Sequence, residues 1–273
     1  MAKKVLNEMS FLDHLEELRW LLVRSSAAIV IMGIVSYFFA DYIFSDLIFG
    51  PTDPSFITYR FFCEASHYLG FADSICITEL NFIIQNTQME GQVNIFVWVC
   101  ITAGFILAFP YILWELWKFI SPALYEKEKK NAKLFIFVAS ILFFFGVLFG
   151  YFVIVPMSVN FLATFSISSV VKNQFSIDSY VSMVKTSVIA SGLFFELPVI
   201  IYFLTKLGLV TPSFLRKYRK YAIVIVLIIA AIVTPPDVVS QITVSIPMLL
   251  IYEGSIWISV FVEKNKKTNE QTS

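Results

Sequence analysis

Long stretches without a single Asp, Glu, Lys or Arg constrain this chain more than any other feature. They run from Ser25 to Ala40, from Gln92 to Trp114 and from Leu134 to Val171. Thr186 to Thr205 is interrupted only by Glu196, and Tyr221 to Pro236 and Val238 to Tyr252 follow. A helix needs about 20 mostly apolar residues to cross the hydrocarbon core, so these stretches read as membrane spans. Only 15% of the residues are charged, where a soluble domain carries about a quarter. The formal net charge of zero gives no ground for a nucleic-acid partner.

The expected fold is an all-α integral membrane protein, one polytopic domain over 1–273 with six transmembrane helices. The spans are placed near 20–40, 92–114, 134–155, 186–205, 221–236 and 238–258, with a polar, disordered tail over 264–273. Pro156 is taken to end the third span, with an apolar segment beyond it. The last two spans are short, and "TPPD" (Thr234 to Asp237) reads as a tight hairpin between them.

Basic residues set the orientation. With six spans and a cytoplasmic N-terminus, all but Arg60, Lys172 and Lys185 of the 20 Lys and Arg fall on the cytoplasmic side. Both termini are then cytoplasmic. The longest outer segment, Asp41 to Gly91, holds Cys63 and Cys76, and a disulfide between them is left open.

No H-E-x-x-H or G-x-S-x-G occurs, and the two histidines fall on opposite sides of the membrane, so no enzyme, metal site or cofactor is expected. Three other features carry chemistry. Glu196 lies within an apolar span, where a carboxylate costs about 2.5–3.5 kcal/mol and needs a partner, a proton or water. "MSFLDHLEELRW" (Met9 to Trp20) opens with an S-x-x-D helix start, Ser10 to Asp13. It holds Glu16 and Glu17 at the cytoplasmic end of the first span. "FISPALYEKEKK" places Glu126 and Glu128 in the first inner loop. Carboxylates gathered on one membrane face can clamp a cationic ligand, and a guanidinium pairs with them bidentately.

The blocks "SFLDHLEELR", "FPYILWELWKFISPALYEKEKK", "FGYFVIVP", "FELPVIIYFL" and "TPPDVVSQITVSIPMLLIYE" resemble, in order, the TatC family, the multispanning subunit of the twin-arginine protein translocase. The resemblance implies six spans in a concave, glove-like bundle and a non-enzymatic receptor for twin-arginine signal peptides of folded cargo. It implies small single-span partners of the TatA and TatB kind, a homo-oligomer within the receptor complex, and export driven by the proton-motive force. The implied location is the bacterial inner membrane, or a thylakoid membrane. On the family's pattern Glu17 and Glu128 read the arginine pair, Arg19 and Phe119 shape that surface, and Glu196 is the polar residue of the concave membrane face. Thr234, Asp237 and Gln241 match positions where partner helices dock. The alternative of another class is an ion-coupled secondary transporter using Glu196, but no internal repeat of the kind such folds carry is present.

The charge asymmetry yields a topology test. Thiol labels near Arg60 or Asn173 should react from outside the cell, and labels within 126–133 or after Lys267 only after permeabilisation. A label near Lys217 that reacts from outside would refute the six-span arrangement.

Overall fold

The computed structural model describes residues 11–68, 76, 80, 82–121, 132–168 and 172–271. Helices dominate: α1 (Phe11–Phe38), α2 (Ile57–Tyr68), α3 (Gly91–Ile120), α4 (Ala132–Phe149), α5 (Val155–Thr164), α6 (Ile177–Phe194), α7 (Leu197–Lys206), α8 (Pro212–Lys217), α9 (Arg219–Val233) and α10 (Val238–Gln271). Five segments are long and apolar enough to cross a bilayer: His14–Phe38, Gly91–Ile120, Lys133–Thr164, Ile177–Lys206 and Ser240–Asn265. The chain is thus a mostly helical, multi-pass membrane protein. At 15 residues, α9 is too short to join them. It rises about 22 Å at 1.5 Å per residue, against a core of about 30 Å.

Several boundaries depart from expectation. The third segment does not stop at Pro156. A π-turn over Gly150–Ile154 joins α4 to α5, and the helix continues to Thr164. Proline offers no N–H to the carbonyl of Phe152, four residues back. Thr58 Oγ1 donates to that carbonyl instead, at 2.8 Å. A foreign hydroxyl thus satisfies the group that would otherwise break the helix. The fourth segment begins at Ile177 and not near Thr186, with Ser176 as its N-cap. It therefore encloses Lys185, whose ammonium lies 5.6 Å from the Trp98 ring centre. The last helix continues to Gln271, through much of the stretch expected to be a disordered tail.

The membrane domain is made of two compact units. One takes Met1–Phe38 with Cys100–Ser140. There α1 meets α3 backbone to backbone: a Cβ on Gly104 would stand 2.6 Å from Gly33 N and Ile29 O. Trp117 and Phe135 pack ring to ring at 5.0 Å in the same unit.

The other unit takes Phe39–Val99 with Ile141–Ser273. Its helices close through small residues, as membrane helices do when burial of apolar surface gives no drive between them. A Cβ on Gly150 would stand 2.7 Å from Ser187 O, and one on Gly146 would stand 2.7 Å from Ser191 O. Ser191 Oγ donates to Gly146 O at 2.7 Å. Ile154, Phe194, Val226, Ala230, Val244 and Met248 form the apolar centre. Thr205 and Ser259 hydroxyls meet at 2.8 Å between α7 and α10.

Tyrosines pin the segment after α1. Tyr59 OH donates to Pro51 O at 2.8 Å, and Tyr180 OH to Ile48 O at 2.6 Å. Burial pushes the Tyr59 phenol up. Cys63 and Cys76 form a disulfide with their Cα atoms 4.6 Å apart. Two three-residue strands, β1 (Ile83–Gln85) and β2 (Gln174–Ser176), pair in parallel with Ile83 opposite Gln174.

The glycine contacts generate a contrast. Gly150→Leu should destabilise the protein by at least the ~1–3 kcal/mol of ordinary overpacking, because the new side chain meets backbone. Gly254→Ala should be neutral, since no atom lies within 4 Å of its Cβ. Thermal unfolding in detergent distinguishes the two; equal melting temperatures would show that the contact between the π-turn and α6 is loose.

Candidate functional site

Helical spacing places Glu17, Leu21 and Arg24 on one face of α1, and Glu115, Lys118 and Phe119 on one face of α3. These faces line a cavity of about 530 Å³, to which Glu16 also contributes. Its deepest group is Glu115, whose side chain is 0% exposed. Arg24 Nε donates to Glu115 Oε2 at 2.7 Å, and Lys118 Nζ donates to Oε1 at 2.8 Å. Both cations are about half exposed, at 43% and 53%. The carboxylate is therefore desolvated while its partners keep water, an arrangement that stands because the buried charge is paired.

The cavity brings together part of the expected set. Glu17 lines it, half-buried, and so does Phe119, whose ring stacks on His14 at 4.3 Å between centres. Arg19 is exposed and lies outside the lining, with its guanidinium 6.0 Å from the Trp20 ring centre. Glu128 and Glu126 lie outside the described residues. The sequence alone gives Glu115 no role beyond closing a charge-free window. The signal that could have found it is the Glu–Lys pair at i and i+3, "ELWK", at the end of an apolar span.

The other expected residues belong to the second unit. Glu196 is buried, at 6% exposure, in the turn between α6 and α7. It lies just past the middle of its span, Ile177–Lys206, on the Lys206 side. Its Oε1 has no hydrogen-bond partner among the described residues. Thr234, Asp237 and Gln241 gather at the α9–α10 turn. Thr234 Oγ1 donates to Ala230 O at 2.8 Å. Asp237 Oδ2 accepts from Ser240 N at 2.7 Å and caps α10. Gln241 Nε2 donates to Leu227 O at 3.2 Å and ties α10 to α9. The same turn borders a second, mostly apolar cavity of about 460 Å³, lined also by Phe82, Leu162, Phe175 and Met183.

Two stability predictions follow from these contacts. Asp237→Ala should cost about 1 kcal/mol as a lost N-cap, read as a lowered melting temperature. Arg24→Ala and Lys118→Ala should each be tolerated, since one cation remains on Glu115. The double substitution should cost more than their sum, about 3–5 kcal/mol, by stranding a buried charge. An additive double mutant would show that Glu115 reaches water.

A family model described as "Sec-independent protein translocase protein (TatC)" matches residues 13–247. The TatC protein of Blattabacterium sp. subsp. Periplaneta americana is 44% identical over 265 residues, covering 95% of this chain and 98% of that protein. TatCy of Bacillus subtilis is 35% identical over 259 residues, covering 95% and 92%. A crystal structure of the twin-arginine translocase receptor TatC matches with a TM-score of 0.71 at 32% identity, covering 92% of this chain and 99% of that one. The chain therefore belongs to the TatC family, as a multi-pass membrane subunit of the Sec-independent protein translocase, a transport component and not an enzyme.

Proposed function

We propose that this subunit is the signal-peptide receptor of its translocase, and that Glu17 and Glu128 bind the two arginines of the signal peptide. The observation that carries this reading is the cavity at the start of α1. Glu16, Glu17 and Glu115 face it against Arg24 and Lys118, an excess of negative charge beside a membrane-spanning helix. A fork of guanidinium donors fits a carboxylate bidentately, and an ammonium does not, so arginine is the preferred ligand. Phe119 supplies an apolar wall and Arg19 shapes the rim. The likeness to a solved structure of a twin-arginine translocase receptor supports the assignment. The ion-coupled transporter is not retained, because the family is a protein translocase.

The wider reading has six spans in a concave, glove-like arrangement, with both termini cytoplasmic. Five spans would put the basic cluster of Arg216 to Lys220 and that of Lys264 to Lys267 on opposite sides. Counting α9 as a short sixth span brings them together, at the cost of local thinning of the bilayer. Glu196 is the polar site of the membrane face, and Thr234, Asp237 and Gln241 form the docking surface for TatA-like and TatB-like single-span partners. The receptor complex holds several copies of this subunit in a bacterial inner membrane.

The binding test uses the purified full chain and a synthetic twin-arginine signal peptide. Charge-assisted hydrogen bonds contribute about 1.5–3 kcal/mol each, and a wet interface favours the low end, so Glu17→Ala and Glu128→Ala should each weaken binding by about tenfold. Glu128→Lys should bind worse than Glu128→Ala. Affinity should fall with added salt, as the Debye length shrinks below about 10 Å. Wild-type affinity in both alanine variants would refute the receptor assignment of these carboxylates.

A further inference from the structure

We propose that Arg24 is an internal competitor for the signal-peptide arginines: it occupies Glu115 in the resting cavity and yields that carboxylate to an incoming guanidinium. The proposal rests on the receptor reading above and adds a third carboxylate to it. Glu115 faces the same cavity as Glu16 and Glu17, yet its side chain is fully buried and already carries a guanidinium. That guanidinium is held at one point, by a short contact of 2.7 Å. Arg24 reaches Glu115 through Nε alone. Arg219, by contrast, grips Glu253 with two nitrogens, Nε to Oε1 at 2.7 Å and Nη2 to Oε2 at 2.8 Å.

The two cations on Glu115 are placed so that one can leave while the other stays. Arg24 is 43% exposed and can turn into water on its long stem. Glu115 has no such freedom, but Lys118 keeps hold of its Oε1 throughout. Glu115 is therefore never a lone buried charge during the exchange, and one guanidinium leaves as another arrives. The number of charges in the cavity beside Glu115 stays constant. A peptide lysine would bring a point charge of the kind Lys118 already supplies, and it gains less from the vacated position. Arg24 thus screens the cavity against ligands that cannot replace a guanidinium.

The test titrates the full chain, in lipid nanodiscs at low salt, with a fluorescent twin-arginine signal peptide. Removing the competitor in Arg24→Gln should tighten binding by about two- to fivefold, the range of a half-exposed ion pair. Adding Glu115→Gln should abolish that gain. Equal or weaker binding by Arg24→Gln, with melting behaviour like wild type, overturns the proposal. Should Arg24→Gln fail to accumulate, Arg24→Lys keeps the charge but lacks the fork; it should also bind tighter, by a smaller factor, and equal or weaker binding again overturns the proposal. Glu17→Ala serves as the separate arm. Loss of binding there with no gain in the Arg24 variants removes only the competitor, whereas normal binding by both Glu17→Ala and Glu128→Ala removes the receptor reading itself.

Discussion

A hydrocarbon core offers no water to a backbone carbonyl, and the rest of this structure depends on how that demand is met. Unbroken helices meet most of it locally. Where proline interrupts the ladder, another part of the chain can supply a donor. At Pro156 that donor is Thr58, which satisfies Phe152 O and lets α4, the π-turn and α5 continue as one apolar rod. The segment after α1 is therefore fastened to the membrane helices by hydrogen bonds. Tyr59 donates to Pro51 O and Tyr180 to Ile48 O, where the backbone has left regular helix. Close packing follows the same logic. Gly146 and Gly150 bring α4 near enough for Ser191 to donate to a carbonyl of its neighbour.

Charge obeys a harsher version of the rule. Glu115 and Glu196 are both buried carboxylates within spans, but their surroundings differ. Glu115 has a cation on each oxygen. Glu196 has one oxygen with no partner among the described residues. The first is a satisfied network whose two cations are each about half exposed. The second has one buried oxygen that no described group reaches, in keeping with the polar role proposed for it on the membrane face.

The sequence showed the spans because charge-free windows are long-range averages that tolerate local error. It failed where one residue decided the matter. Lys185 and Asp178 broke the window of the fourth span, so its start was placed near Thr186, although Lys185 sits inside the helix against Trp98. Pro156 was read as a terminator because nothing in its neighbourhood announces a hydroxyl from Thr58. Glu115 was read as an edge because its burial depends on Arg24, 91 positions away. Strands of three residues, such as β1 and β2, are too short to display a two-residue period. The acidic start of α1 was legible, because amphipathic spacing and charge were both local there.

The parallel pairing of β1 with β2 also fixes an order of assembly. Ile83 and its partner Gln174 are separated by two membrane-crossing segments, α3 and the joined α4 and α5. A ribosome delivers them in sequence, so β1 must remain an unpaired edge while those helices are being inserted. Its exposed amides become protected only when the stretch before α6 arrives. The two-stranded ribbon is thus a late latch: biogenesis of the subunit passes through an intermediate in which the helices are seated and the ribbon is still open.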